Sequence, residues 1–232
     1  SVFVSTSLDE AEEVAQEIMA RGYDVVLTGG GDGTLINFLN HSLKYLEKID
    51  KNDAEFPRIG VLKLGTGNGI HSLVGAEKYL ADLRRMVATR PRSVQKISLI
   101  EVDGKYSYFA GFGLDAAIIN DYIGVKDTWL GRRLRYAASV PARTIPQQLT
   151  FRRKYPVATV VNEGSPARLI GPNGEPVGRP IEKGETIYHG PILISGVATT
   201  PYYGYGMKLY PHTERKSKTM QLKISWASTF ET

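Results

Sequence analysis

The stretch Asp24-Val25-Val26-Leu27-Thr28-Gly29-Gly30-Gly31-Asp32-Gly33-Thr34 decides how this chain is read, with Leu35-Ile36-Asn37-Phe38-Leu39 directly behind it. The apolar run predicts a short buried strand, the glycines a close turn, and the apolar spacing after Thr34 a helix. Without side chains, the three glycines let the backbone approach a ligand closely. A helix opening at Thr34 turns its free N–H groups and the positive end of its dipole towards that turn, which makes an anion site. Asp32 conflicts with this. A carboxylate in a phosphate loop repels phosphate unless it holds a cation or takes a proton from an incoming nucleophile.

Upstream, Val2-Phe3-Val4 reads as a strand. Ser7 and Glu10 form a capping-box pattern, and Leu8, Ala11, Val14, Ala15, Ile18 and Met19 follow helical spacing up to Gly22. Downstream, the helix from Thr34 runs towards Ile49 with Leu35, Leu39, Leu43, Leu46 and Ile49 on one side. Ile59 to Leu64 is a third strand. It enters a second glycine loop, Gly65-Thr66-Gly67-Asn68-Gly69, before a helix over 76–88. Two such loops at the C-terminal ends of strands in one parallel sheet lie side by side, where open α/β sheets bind ligands.

The pattern changes near Arg90-Pro91. Lys96–Val102 and Lys105–Phe112 flank Asp103-Gly104, a hairpin signal. Residues 115–123 and 129–139 read as helices, and strands follow at 157–161, 167–170, 192–195 and 220–225, separated by turns such as Pro172-Asn173-Gly174. The expected fold is therefore α/β plus all-β. Residues 1–92 are expected to form a Rossmann-like parallel α/β domain, and residues 93–232 an antiparallel, β-sandwich-like domain. The chain opens in one strand pattern and stops after another, so it is expected to be truncated at both ends.

Composition sets limits. With 42% hydrophobic and 23% charged residues in 232, disorder and fibre are excluded. No apolar run approaches the roughly 18–20 residues that cross a bilayer, and no signal peptide is visible. The absence of cysteine excludes disulfides and thiolate metal sites and fits a cytoplasmic, reducing compartment. Charge is uneven: 11 Lys/Arg face 13 Asp/Glu in residues 1–92, and 18 face 11 in the rest. A basic second half fits an acidic partner such as a membrane surface, a nucleic acid or a phosphorylated substrate. The four histidines show no metal-ligand spacing.

The first loop lacks the lysine of a Walker A site, and its glycines do not match G-x-G-x-x-G. What remains is Gly30-Gly31-Asp32-Gly33-Thr34. Together with Leu64-Gly65-Thr66-Gly67-Asn68 it resembles the diacylglycerol kinase catalytic domain of the bacterial lipid kinases. That family is itself similar to sphingosine and ceramide kinases and, more distantly, to NAD kinases and phosphofructokinases. Ala110-Gly111-Phe112-Gly113-Leu114-Asp115 and Pro201-Tyr202-Tyr203-Gly204-Tyr205-Gly206-Met207-Lys208-Leu209 look like the same family.

The resemblance implies an ATP site built from Gly30, Gly31, Asp32, Gly33, Thr34, Leu35 and Ile36. The second loop would add Gly65, Thr66, Gly67 and Asn68, and the end of the first strand a hydroxyl from Ser5 or Thr6. Asp32 is the implied catalytic residue, acting through Mg²⁺ or as acceptor of the substrate's hydroxyl proton, and its replacement by Asn is expected to abolish transfer with the fold intact. Asp115, otherwise a simple helix N-cap, is the implied receiver of a lipid head group. Arg132, Arg133, Arg135, Arg143 and Arg152-Arg153-Lys154 would face an anionic leaflet. The implied reaction moves the γ-phosphate of ATP to a lipid hydroxyl at a membrane surface, with diacylglycerol the first choice of acceptor. No nucleic-acid partner is implied, and a homodimer is compatible. The alternatives are an NAD kinase-like enzyme, a sphingoid or ceramide kinase, and a non-catalytic nucleotide-binding relative. Three positions depart from the family pattern. Gly69 stands where Asp is usual, Ser217-Lys218 stand where the family has a metal-site Asp-Gly, and the family's catalytic Glu would fall past residue 232.

Overall fold

Ser7 starts the first helix, α1 (Leu8–Arg21), by accepting the Glu10 amide on its hydroxyl. Gly22 ends it in the left-handed region at φ 66°, with its amide on the Met19 carbonyl. The structure is a computed structural model that describes residues 1–50, 56–65, 69–88, 94–113, 116, 156–203, 206–214 and 218–225. The chain divides into two units. One comprises Ser1–Ala110 with Ala198–Gln221, the other Gly111–Val197 with Leu222–Thr232.

In the first unit, β1 (Val25–Gly30) and β2 (Arg58–Lys63) pair in parallel, from Val25 opposite Arg58 to Gly30 opposite Lys63. The crossover between them is α2 (Asp32–Lys48). Ala15 and Ile18 of α1, Val26 of β1 and Phe38 of α2 make one buried cluster. A second joins Leu35, Val61, Ile70 and Tyr108. The buried face of α2 is thus Leu35, Phe38, Ser42 and Leu46, spaced by three and four as a helix requires. Of the expected stripe, Leu35 and Leu46 are buried, Leu39 packs half-buried against the second cluster, and Ile49 stands exposed.

Two expectations for this unit change. Residues 2–4 form no strand: Val2 and Val4 stand 90% and 77% exposed, and only Phe3 packs, edge-on to Tyr23 and under the Arg21 guanidinium. β1 has β2 as its one described partner, so the described parallel crossover is β1–α2–β2. The helix expected over 76–88 is α4 (Tyr79–Ala88), preceded by a separate short helix, α3 (Gly69–Leu73).

The predicted hairpin forms as β3 (Ile100–Val102) and β4 (Lys105–Ser107), antiparallel. Asp103 at φ 49° and Gly104 at φ 71° give the doubly left-handed turn that matches strand twist. Asn40 of α2 docks this hairpin. Its amide accepts the Tyr106 N–H at 2.7 Å and donates to the Tyr106 carbonyl at 2.7 Å, so one side chain imitates a strand edge. Asn40→Ala strands both Tyr106 groups and is expected to lower unfolding stability by about 1–3 kcal/mol. Urea unfolding measures it, and a variant as stable as the parent would mean that packing alone docks the hairpin.

The single boundary near residue 92 gives way to a double crossing. The chain leaves the first unit at Ala110 and returns over Ala198–Gln221, because Thr199 hydrogen-bonds the Tyr108 carbonyl through its amide at 3.0 Å and the Ser98 carbonyl through its hydroxyl at 2.6 Å.

The second unit is β, as expected. β6 (Val157–Val161) pairs antiparallel with β9 (Thr186–Pro191), and β7 (Ala167–Ile170) with β8 (Pro176–Ile181). A third sheet has the order β11 (Gln221–Ser225), β10 (Ile194–Ala198), β5 (Phe109–Gly113). Strands β8 and β9 are absent from the sequence-based expectation. Pro176, Gly178 and Pro180 interrupt one, and Gly190-Pro191 close the other. Asn162 ties the pairs together, donating to the carbonyls of Ser165 and Ile181 and accepting the Gly164 amide. Arg179 grips Glu185 with both terminal nitrogens and holds its carboxyl down at about 2, helped by the Glu182 amide. The helices expected at 115–123 and 129–139 lie almost wholly outside the described residues, as do Trp129 and the basic cluster Arg132 to Lys154.

Candidate active site at the paired strand ends

Because Gly30 lies opposite Lys63 in a parallel pair, the chain turns out of β1 and β2 at the same edge of the sheet. The strand uses two of the three expected loop glycines, and the helix begins two residues before Thr34. Gly31 is its N-cap, extended at φ −100° and ψ −172°, with no side chain to accept an amide. The Thr34 and Leu35 amides both turn back to the Gly31 carbonyl, at 3.0 and 3.4 Å. The amides of Asp32 and Gly33 precede the first intrahelical bond and are left to solvent or to a ligand. A Cβ on Gly33 would meet nothing within 4 Å, whereas one on Gly30 would sit 2.2 Å from the Thr34 hydroxyl oxygen. The Thr34 side chain therefore folds over Gly30 and leaves the Gly33 side open.

Asp32, at the first helical position, reaches across to the second loop. Its Oδ2 accepts the Gly69 amide at 2.8 Å and its Oδ1 the Ile70 amide at 3.1 Å. One carboxylate at the start of α2 thus caps the start of α3. The conflict noted in the sequence has a structural answer: the partners of Asp32 are amide donors. Each oxygen has a further lone pair for a cation or a hydroxyl.

Gly69 is held closely from the other side. A Cβ there would lie 3.2 Å from the carbonyl oxygens of both Tyr202 and Tyr203. That crowding is a physical reason for glycine where the family pattern has Asp. The motif Pro201–Leu209 accordingly packs on the second loop, in the first unit. Tyr203 seats its ring edge-on to Phe109, with centroids 4.9 Å apart, and donates its amide to the Met207 carbonyl.

Residues 1–101 match the family model described as the diacylglycerol kinase catalytic domain. This part of the chain is similar to that family. Both strand ends, α2, Asp32 and α3 fall inside the matched segment. A diacylglycerol kinase catalytic domain supports a lipid-kinase-type phosphotransferase function. Among curated proteins, none matches the chain.

Of the other sequence-predicted residues of the kinase domain, Leu35 is 5% exposed and lies in the core, with Ile36 packed against the same cluster. Only their main chain faces the loop. Thr6 donates its amide and hydroxyl to Glu10 Oε2, at 2.6 and 2.8 Å, which holds the Glu10 carboxyl below its usual range. Its hydroxyl is therefore engaged in capping α1, while Ser5 is exposed. Gly65 is half-buried just after β2. Thr66, Gly67, Asn68 and Asp115 lie outside the described residues. So does Ser217; its neighbour Lys218 takes φ 63°, a left-handed conformation that glycine would adopt without strain. Among the described residues, no three acidic or histidine side chains gather as a metal cage.

Two contributors escape sequence reading. Tyr108 lies in the cluster of Leu35 and Ile70, 5% exposed. Burial first, and then the charge of the nearby Asp32 carboxylate, raise its phenol well above the ordinary range. The carbonyls of Tyr202 and Tyr203 are the other contribution. No local motif marks Tyr108, and although Tyr202 and Tyr203 stand in the family-like stretch Pro201–Leu209, nothing local announces the approach of their carbonyls to Gly69, more than a hundred residues away in sequence.

Proposed function

We propose that this chain transfers the γ-phosphate of ATP to the hydroxyl of a lipid, diacylglycerol giving phosphatidic acid, with Mg²⁺ carried on the nucleotide. The observation that carries the reading is the uncapped N-terminus of α2 at the shared edge of β1 and β2, open at Gly33 and flanked by one carboxylate. Phosphoryl transfer is mostly positioning and charge neutralisation. The α2 amides would take phosphate oxygens, and Asp32 would take the metal or the proton of the attacking alcohol. Residues 1–92 then serve the nucleotide, and Asp115 with the basic cluster after it serves the lipid at a membrane surface. No described helix is long and apolar enough to span that membrane.

Incubation with labelled ATP, Mg²⁺ and, separately, dispersed diacylglycerol, sphingosine, ceramide or NAD tests this. Label is expected in phosphatidic acid. Label in NADP instead would overturn the lipid reading. A second reading, a non-catalytic nucleotide-binding relative, is favoured by one observation: Asp32 already has an amide on each oxygen. ATP binding with no transfer to any acceptor would select it.

A further inference from the structure

Tyr108 poses a problem that the phosphate site does not explain. Its hydroxyl is fully enclosed yet closes no well-formed hydrogen bond among the described residues. A buried unsatisfied hydroxyl is a standing cost to the fold, and phenylalanine would fill the same space without it. The ring packs in the cluster of Leu35 and Ile70. Leu35 lies one turn along α2 from Asp32, and the Ile70 amide is itself bound to Asp32. The phenol is thus walled in beside the one carboxylate that joins the two glycine segments, and that carboxylate's charge acts on it. The same unit anchors Tyr108 by its main chain, since the Thr199 amide donates to the Tyr108 carbonyl at 3.0 Å. Its position is fixed by backbone as well as by packing.

We propose that Tyr108 is a positioning residue whose hydroxyl steadies the Asp32 carboxylate when a ligand at the α2 N-terminus draws on it. At rest the Gly69 and Ile70 amides hold one oxygen each. A cation or an alcohol arriving at Asp32 competes for those same oxygens, and the phenol supplies a third donor that keeps the carboxylate from swinging away. Tyr108 touches neither nucleotide nor acceptor; it acts through Asp32. The inference rests on the phosphoryl-transfer reading for its consequence, though not for the burial of the phenol against Ile70, whose amide Asp32 holds.

The test is Tyr108→Phe in the full chain, with kinetics and thermal unfolding measured together. The expected result is a fall in kcat of about 10- to 100-fold, with KM for ATP held within about twofold and a melting temperature no lower than the parent's. A kcat within about twofold of the parent overturns the proposal. The pairing is tested separately by a stability cycle, run with saturating ATP and Mg²⁺, combining Tyr108→Phe with Asp32→Ala, and with Asp32→Asn should the alanine variant not fold. Non-additive changes are expected, and additive ones overturn the proposal. Should the parent chain transfer no phosphate at all, the kinase reading fails on its own account and the cycle still decides whether Tyr108 and Asp32 act as a pair.

Discussion

Asp32→Ala is expected to weaken the fold and the chemistry together. It removes two hydrogen bonds to a charged acceptor, from the amides of Gly69 and Ile70. At about 1.5 kcal/mol each, unfolding stability should fall by about 3 kcal/mol. Losing an anion from the first turn of α2 adds about 0.3–1 kcal/mol. If Asp32 takes the acceptor's proton, transfer should also fall by roughly 10²–10⁴-fold. Asp32→Asn is not the neutral control that the sequence alone suggests. A carboxamide has one accepting oxygen, so its NH₂ must face either the Gly69 or the Ile70 amide, donor against donor. That variant should lose at least half as much stability as the alanine one. Denaturant unfolding and labelled-ATP transfer, run on both variants, separate the two roles. Undiminished transfer in a destabilised Asp32→Ala protein would leave Asp32 as a brace between loops and remove it from the chemistry.

The dual position of Asp32 marks the limit of sequence reading here. The strand, the helix and the pairing of two glycine segments could be read from Val25 to Gly69, because apolar periodicity and glycine clustering are local signals. So could the Asp103-Gly104 turn, where two left-handed residues have few other uses. The role of Asp32 as a cap on α3 could not be read, since it depends on a partner 37 residues away. Nor could the return of Ala198–Gln221 to the first unit. That return rests on backbone bonds such as Thr199 to Tyr108, which leave no trace in composition. The error over residues 2–4 has the opposite cause. A run of β-branched and aromatic residues favours a strand, but a strand also needs an edge to pair with, and the described partner of β1 is β2. Gly69 lies between these cases. As a departure from the family pattern it was visible, but its reason, the Tyr202 and Tyr203 carbonyls at 3.2 Å, needed the fold.

Gly33→Ala should move stability and ligand binding in opposite directions, which makes it the sharpest probe of the site. Gly33 is in the first turn of α2, outside the left-handed region, and a methyl there would meet nothing within 4 Å. Replacing a helical glycine by alanine gains up to about 1 kcal/mol, less near a terminus, so the variant should melt at or slightly above the parent. The same methyl would stand over the uncapped amides where a phosphate must come close. ATP affinity is expected to fall by about tenfold or more, equivalent to about 1.4 kcal/mol. Gly30→Ala is the counterpart. Its methyl would lie 2.2 Å from the Thr34 hydroxyl oxygen and 2.6 Å from the Thr34 Cβ, and the latter is anchored to the helix backbone and cannot rotate clear. That variant should lose about 1–3 kcal/mol of stability from strain. Thermal unfolding with and without ATP reads both variants in one experiment, since a ligand that binds only the folded chain raises its melting temperature. In the parent, ATP should raise it. In Gly33→Ala the protein should be as stable as the parent without ATP and gain less from it. An undiminished ATP-dependent shift in Gly33→Ala would place the nucleotide elsewhere and withdraw the α2 N-terminus as the phosphate site.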